Sequence, residues 1–213
     1  MRSVRRSPPA ARTRSAAGLT CAGAAFVAGA RECLAAADRA AADAAAATGA
    51  VRGRLAVGVI VTTAAVDVPE LLQRYRARHP EVRVVLRSGR SDELVAAIRE
   101  GHLDIAFLGL PEGERPSGVE TVALDHDRHA LVVAAGHRLV GASRVMQGAG
   151  ARGLGIALMP SAFLRPLAAD DPELVLIPVA DGPRRVEYLA WSRFNPSPAT
   201  RAMLGVLGVS SPA

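Results

Sequence analysis

The clearest hydrophobic pattern in the chain is the stretch "LVAAIREGHLDIAFLGL", residues 94–110. Leu94, Val95, Ile98 and Leu103 fall at helical spacing, with Glu93, Arg99, Glu100 and His102 between them. Gly101 then breaks the pattern, and "LDIAFLGL" is a nearly continuous apolar run. A helix that stops at a Gly and feeds a short apolar strand is half of a βαβ unit. The same alternation precedes it. "LAVGVI" (55–60) predicts a buried strand, "PELLQRYRARHP" a helix with Pro69 in its first turn and Pro80 past its end, and "VRVVLRSG" a second strand. "RSDELVAAIREG" predicts a second helix with Ser91 as N-cap and no capping box. Three strands linked by two helices through short connections predict a parallel sheet with right-handed crossovers. Asp104, at the mouth of the third strand, is expected to satisfy turn N–H groups, which is a structural role.

After Gly109 the pattern loosens. "VETVALDHDRHALVVAAGHRLVG" predicts two strands, and "SRVMQGAGARGLGIALMPSAF" a short helix, a strand and the start of another helix. "LVLIPVA" and "RRVEYLAWSR" predict strands, and "SPATRAMLGVLGV" a final helix opened by Ser197 and Pro198. The Pro- and Gly-rich residues 111–118 mark a candidate lobe boundary. The N-terminal part differs. Residues 1–16 hold Arg, Ser and paired Pro without periodicity and predict a disordered tail. From Leu19 to about Ala47 the chain is rich in Ala and free of Pro, which predicts one long helix ended by Thr48 and Gly49. The resulting division is a basic tail over 1–16, a helical segment over 17–49 and an α/β domain over 50–213.

Composition refines this picture. A chain of 213 residues suits one domain or two small lobes. Half of it is hydrophobic but only 3% is aromatic, so Ala, Val and Leu must fill the core. The net charge of +6 resides in residues 1–54, where nine Arg face Glu32, Asp38 and Asp43; the remainder is balanced. A basic N-terminal arm points to nucleic acid, an acidic membrane surface or export, with a solvated tail as the equal alternative. Cys21 and Cys33 lie twelve positions apart on one predicted helix with no His cluster, which argues for two reduced thiols in a cytoplasmic protein rather than a disulfide framework or zinc site. No apolar run reaches transmembrane length.

The search for catalytic motifs is negative. Nucleophile elbow, His-Glu-x-x-His, Walker loop and Cys-x-x-Cys patterns are absent, so the sequence argues against an enzyme and names no cofactor. "GARGLG" (150–155) has its glycines in the wrong order for a dinucleotide fingerprint and opens a strand where the fingerprint follows one. His126 and His129, flanked by Asp125 and Asp127, are spaced to line a solvated loop rather than converge on one metal ion. What remains is an open α/β sheet, whose ligands sit outside the carboxyl ends of the strands. Thr62 and Thr63 follow the first strand and Ser91 follows the second, each offering a hydroxyl beside backbone N–H groups near a helix N-terminus that favours an anion. The same residues also suit a turn and a helix cap, so a structural role competes with a binding one.

"RGRLAVGV" followed by "VPELLQRYRARHPEVRVVLRSGRSDELVAAIREGHLDIAFLGL" resembles the start of the effector-binding domain of LysR-type transcriptional regulators. "HALVVAAGHRLVG", "ARGLGIALMPSAF", "EYLAWSR" and "SPATRAMLGVL" resemble later parts of that domain, and "LTCAGAAFVAGARECLAAADRA" resembles the family's linker helix. The resemblance implies a two-lobed, periplasmic-binding-protein-like α/β domain with parallel sheets, preceded by a long linker helix. It implies that residues 55 to about 110 and the C-terminal end share one lobe, with the second lobe centred on 120–180. It also implies a small, often anionic metabolite as effector, with Thr62, Thr63 and Ser91 lining the cleft, Gly109 at the crossover, and Met159 and Pro160 facing them. Leu19, Phe26 and Leu34 would line a dimerisation helix, pairing with a second copy or with a full-length relative.

Two departures from the family pattern carry expectations of their own. The winged helix-turn-helix expected before "LT-x-AG" is missing, and the second lobe looks shortened between "HRLVG" and "ASRVMQG". Any DNA contact by this chain is then expected from Arg2, Arg5, Arg6, Arg12 and Arg14 to phosphates, weak and non-specific. The rival from another class is a secreted solute-binding protein, with "MRSVRR" as the charged region of a signal peptide and Ala28-Gly29-Ala30 as its cleavage site.

Overall fold

In the computed structural model the residues described are 20–47, 49–137, 139–140, 156–194 and 196–209. The Ala-rich segment forms α1 (Cys21–Ala47), a single 27-residue helix. The domain follows as β1 (Gly53–Val59), α2 (Val68–Arg78), β2 (Val82–Ser88), α3 (Ser91–Arg99) and β3 (Ile105–Pro111). Then come β4 (Val119–Ala134), β5 (Ala157–Pro160), α4 (Ser161–Asp170), β6 (Leu174–Pro178), β7 (Arg184–Ser192) and α5 (Pro198–Val206).

Local chemistry accounts for the helix ends. Asp67 caps α2 by accepting from the Glu70 N–H at 2.9 Å, and Pro69 sits in the first turn, where its missing N–H costs nothing. The cap of α3 differs from the sequence reading. Arg90, not Ser91, is the N-cap, and Glu93 reaches back to accept from the Arg90 N–H at 3.1 Å. Ser91 is thereby free of capping and serves another purpose described below. At the other end Gly101 adopts φ +71°, the Gly101 N–H donates to Ile98 and the His102 N–H donates to Ala97, a complete Schellman motif. Asp104 then clasps the strand beside it. Its N–H donates to the Ala56 carbonyl at 2.9 Å, and its carboxylate accepts from the Ala56 N–H at 2.7 Å. This N–H group belongs to β1.

Strands order as β2-β1-β3-β7-β4-β5, with β6 also paired to β4. The β2-β1-β3 part is parallel, as the βαβα alternation requires. The rest is not: β7 runs antiparallel to β3 and β4, and β4 antiparallel to β5 and β6. In place of the two strands expected from "VETVALDHDRHALVVAAGHRLVG", residues Val119–Ala134 form one strand of 16 residues with a register shift between Ala123 and Asp125. Its first part pairs with β7 through Arg128 and its last part pairs with β5 and β6 from His129 or Ala130 onward, so a single strand joins the two lobes.

The first lobe has a core on each face of its sheet, set by strand alternation. Leu55, Val57, Ile105, Phe107, Leu189 and Trp191 pack against Leu71 and Tyr75 of α2 and Met203 and Leu204 of α5. Ala56, Ala106, Leu108, Val186, Tyr188 and Ala190 pack against Leu94, Val95 and Ile98 of α3. The second lobe has a smaller core among the described residues, built on Leu131, Val133, Ile177 and Val179. The expectations for residues 142–155, including the "GARGLG" segment and the short helix, fall outside the described residues.

Candidate functional site

The carboxyl ends of β1 and β3 face the loop over 60–67 and the first residues of β7. β7 runs antiparallel to β3, so its opening "RRVEY" lies beside the end of that strand, with Glu187 opposite Gly109 and Arg185 opposite Pro111. Residues 185, 187 and 189 share one face of β7. Leu189 fills the core there, while Arg185 and Glu187 carry charge onto the same face at 6% and 2% exposure. Buried charges need partners, and these have them.

Arg185 is the hub. One terminal nitrogen donates to the Thr62 hydroxyl at 2.8 Å, and the other donates to the Thr62 carbonyl at 2.8 Å and to Glu187. Glu187 in turn accepts from the Ala64 N–H at 3.1 Å and the Ala65 N–H at 3.1 Å, so the loop after β1 wraps a carboxylate with two backbone amides. On the far side the Arg185 Nε lies 3.8 Å from the Asp127 carboxylate and has no hydrogen bond among the described residues. Asp127 accepts from the Ser161 hydroxyl at 2.7 Å and from the Ala162 N–H at 3.1 Å, which places it on the positive end of α4. One connected network thus runs from the β1 loop of the first lobe to the first turn of α4 in the second.

The residues singled out from the sequence take different positions around this network. Thr62 is part of it. Thr63 donates its hydroxyl to the Ile60 carbonyl at 3.0 Å and closes the turn. Ser91 stands on the opposite side of Gly109, donating to its carbonyl at 2.9 Å and accepting from its N–H at 3.1 Å. Gly109 itself is hemmed in, because a Cβ there would stand 2.8 Å from Ile60 Cδ1 and 3.0 Å from the Arg185 guanidinium. Met159 and Pro160 lie on β5, opposite Ala130 and His129, immediately before the Ser161 that Asp127 engages. The structure therefore brings Thr62 and Gly109 together through Arg185, attaches Ser91 to Gly109 by its backbone, and gives Thr63 a turn role.

Arg185, Glu187, Asp127 and Ser161 are absent from the residues selected by sequence. The signal for two of them was present in "RRVEYLAW", where Arg185 and Glu187 alternate with Val186 and Tyr188, both strand faces being buried. A charge on a face that the rest of the strand buries marks either an edge or a polar site. Asp127 gives a weaker signal, since it stands in a polar run where only its own side chain is buried among neighbours that are exposed.

Other candidate chemistry disperses. Among the described residues no group of three His, Cys, Asp or Glu is placed to hold a metal ion; the His129 ring contacts the Pro183 carbonyl at 3.0 Å and His126 lies 3.8 Å from Glu112. Cys21 and Cys33 are both exposed on α1. Phe26 and Leu34 are exposed there at 76% and 67%, and Leu19 lies outside the described residues. No described helix is long and apolar enough to cross a membrane. A cavity of about 550 Å³ lies away from the network, between α1 and the first lobe, lined among others by Asp38, Ala42, Arg54, His102, Asp104 and Ser197.

Comparison with known proteins gives a consistent result. Residues 48–147 match the model of the LysR substrate binding domain. A probable hydrogen peroxide-inducible genes activator of Mycobacterium xenopi is 34% identical over 116 residues, which is 54% of this chain and 60% of that relative. The chain spans less than two thirds of such relatives, 60% of that one and 40% of the corresponding Mycobacterium avium protein. Among solved structures, a full-length OxyR from Pseudomonas aeruginosa superimposes with a TM-score of 0.60 at 19% identity, covering 94% of this chain and 80% of that one. The effector binding domain of BenM with its effector benzoate superimposes with a TM-score of 0.53 at 16% identity, covering 75% of this chain and 96% of that domain. At these identities the structural likeness establishes the fold.

Proposed function

We infer that this chain, whose residues 48–147 match the model of the LysR substrate binding domain, is the effector-binding portion of a LysR-type transcriptional regulator. It acts by binding a small molecule rather than by catalysis. The observation that carries this reading is the convergence of three elements at the carboxyl edge of the parallel strands. The β1 loop, the head of β7 and the first turn of α4 meet there in one polar network. Ligands of open α/β sheets bind at that edge, and a site spanning two lobes converts occupancy into relative lobe position.

In this reading Thr62 lines the cleft from the first lobe and Thr63 shapes its turn. Ser91 fixes the strand position of Gly109, and Met159 and Pro160 border the cleft from the second lobe. The exposed Phe26 and Leu34 are the apolar positions through which α1 pairs with a second copy or a full-length relative. Contacts of the basic arm with DNA are to phosphates and carry no sequence information.

Titration calorimetry of a panel of small metabolites against the chain tests this. Thr62→Ala removes one hydroxyl from the cleft and should weaken binding about tenfold, the worth of roughly one good hydrogen bond, with an unchanged circular dichroism spectrum. An affinity equal to wild type would remove Thr62 from the site.

A further inference from the structure

The cleft holds a carboxylate already, and it is the protein's own. Glu187 is 2% exposed at the junction of the lobes. Both its oxygens face donors: the Ala64 and Ala65 N–H groups of the β1 loop at 3.1 Å, and the guanidinium of Arg185. Two consecutive backbone amides and a guanidinium make the donor set by which proteins recognise small carboxylates. The ordinary function of a buried strand position needs none of this. On that face of β7 its neighbours are Arg185 on one side and, on the other, Leu189 and then Trp191, both in the apolar core. An apolar pair at 185 and 187 would need no partners, whereas a carboxylate there must be compensated by every donor it can find.

Charge in the network gives the consequence. Arg185 faces two carboxylates, Glu187 and Asp127, so the buried cluster carries one more negative than positive charge. A carboxylate effector added to this arrangement would meet no unneutralised cation. It has to take the amides and the guanidinium from Glu187, whose side chain must swing out of the cleft. We propose that Glu187 is a tethered pseudo-ligand: it occupies the carboxylate-binding position of the cleft and competes with the effector for the Ala64 and Ala65 amides and Arg185. The proposal rests on the effector-binding reading above and adds both the ligand class, a small carboxylate, and its regulation, intramolecular competition. Asp127 is not part of the competing position. It bonds Ser161 and Ala162, and so keeps the α4 end of the network in place whether or not Glu187 is seated.

The test is chemical rescue, and it requires no knowledge of the natural effector. Glu187→Ala opens the position and leaves Arg185 facing Asp127 alone, so its melting temperature should fall by roughly 6–12 °C. Sodium formate at about 100 mM should raise it by roughly 3 °C or more over sodium chloride at equal ionic strength, as expected of a site with millimolar affinity. Wild type should show no difference between the two salts. The double variant Arg185→Met with Glu187→Leu, which replaces the pair by apolar side chains, should fold and also show none. Glu187→Gln is the second single variant, isosteric and neutral, and should gain a smaller formate response. Equal melting in formate and chloride for both single variants overturns the proposal. So does aggregation of both in either salt, because a free carboxylate should then substitute for the missing one. Formate rescue together with no binding of any metabolite by the wild-type chain would leave the pseudo-ligand standing and count against the effector-binding reading alone.

Discussion

Gly109 shows how much one residue can settle. On one side Ser91 holds its N–H and carbonyl, and on the other the Arg185 guanidinium lies where a Cβ would be 3.0 Å away. Ile60 Cδ1, 2.8 Å from that Cβ, can rotate aside. Arg185 cannot, because Thr62 and Glu187 pin it. Gly109→Ala should therefore cost about 1–3 kcal/mol, the usual range for overpacking a tight site, read as a lower urea midpoint at unchanged slope. No loss of stability would mean that the guanidinium moves easily and that the network is loose. Sequence reading placed Gly109 at the crossover through a family resemblance, but not the reason a side chain is excluded. That reason lies 76 positions further along, in Arg185. Arg185 and Glu187 were legible only as an anomaly, two charges in a strand buried on both faces. Their partners come from segments whose proximity no local pattern encodes.

At the scale of elements, the helices and the parallel strands were legible because each carries its own punctuation. Pro69 marks the first turn of α2, Gly101 closes α3, and Ser197 accepts from the Thr200 N–H to open α5. β4 was not legible as one strand. Polar residues from Asp125 to His129 interrupt its apolar alternation as a turn would, and a register shift after Ala123 absorbs the irregularity instead. Packing between helices is anchored by Tyr75, fully buried in α2, whose hydroxyl donates to the Ala199 carbonyl of α5 at 2.9 Å. Burial pushes this hydroxyl well above its ordinary value of 10.0, and the charge of Asp104 adds to the effect. The folded state thus favours the protonated phenol, while the unfolded chain releases that proton near the ordinary value. Stability from Tyr75 is complete below that pH and is lost as pH rises above it. Tyr75→Phe should cost about 1 kcal/mol at neutral pH through the lost hydrogen bond, and the gap to wild type should narrow in denaturation curves taken above pH 10. A gap that stays constant or widens there would refute this assignment.

The whole molecule has two lobes joined by β4, with the larger core in the first and a small one in the described part of the second. The polar network is built at their junction, and α1 docks on the first lobe near its C-terminal end, where Arg201 of α5 meets Asp43 at 3.1 Å. The rival to the junction of the lobes as the place for a small molecule is the cavity of about 550 Å³ between α1 and the first lobe. The central claim is that the junction is the binding site. Hydrogen exchange of the backbone amides, with and without a metabolite found to bind, separates the two directly. Protection confined to residues 60–67, 184–188 and 161–163 is the predicted result, since those amides belong to the β1 loop, the head of β7 and the first turn of α4. Protection instead over 38–54 and 101–104, the segments around the α1 cavity, with no change in the β1 loop, would contradict it.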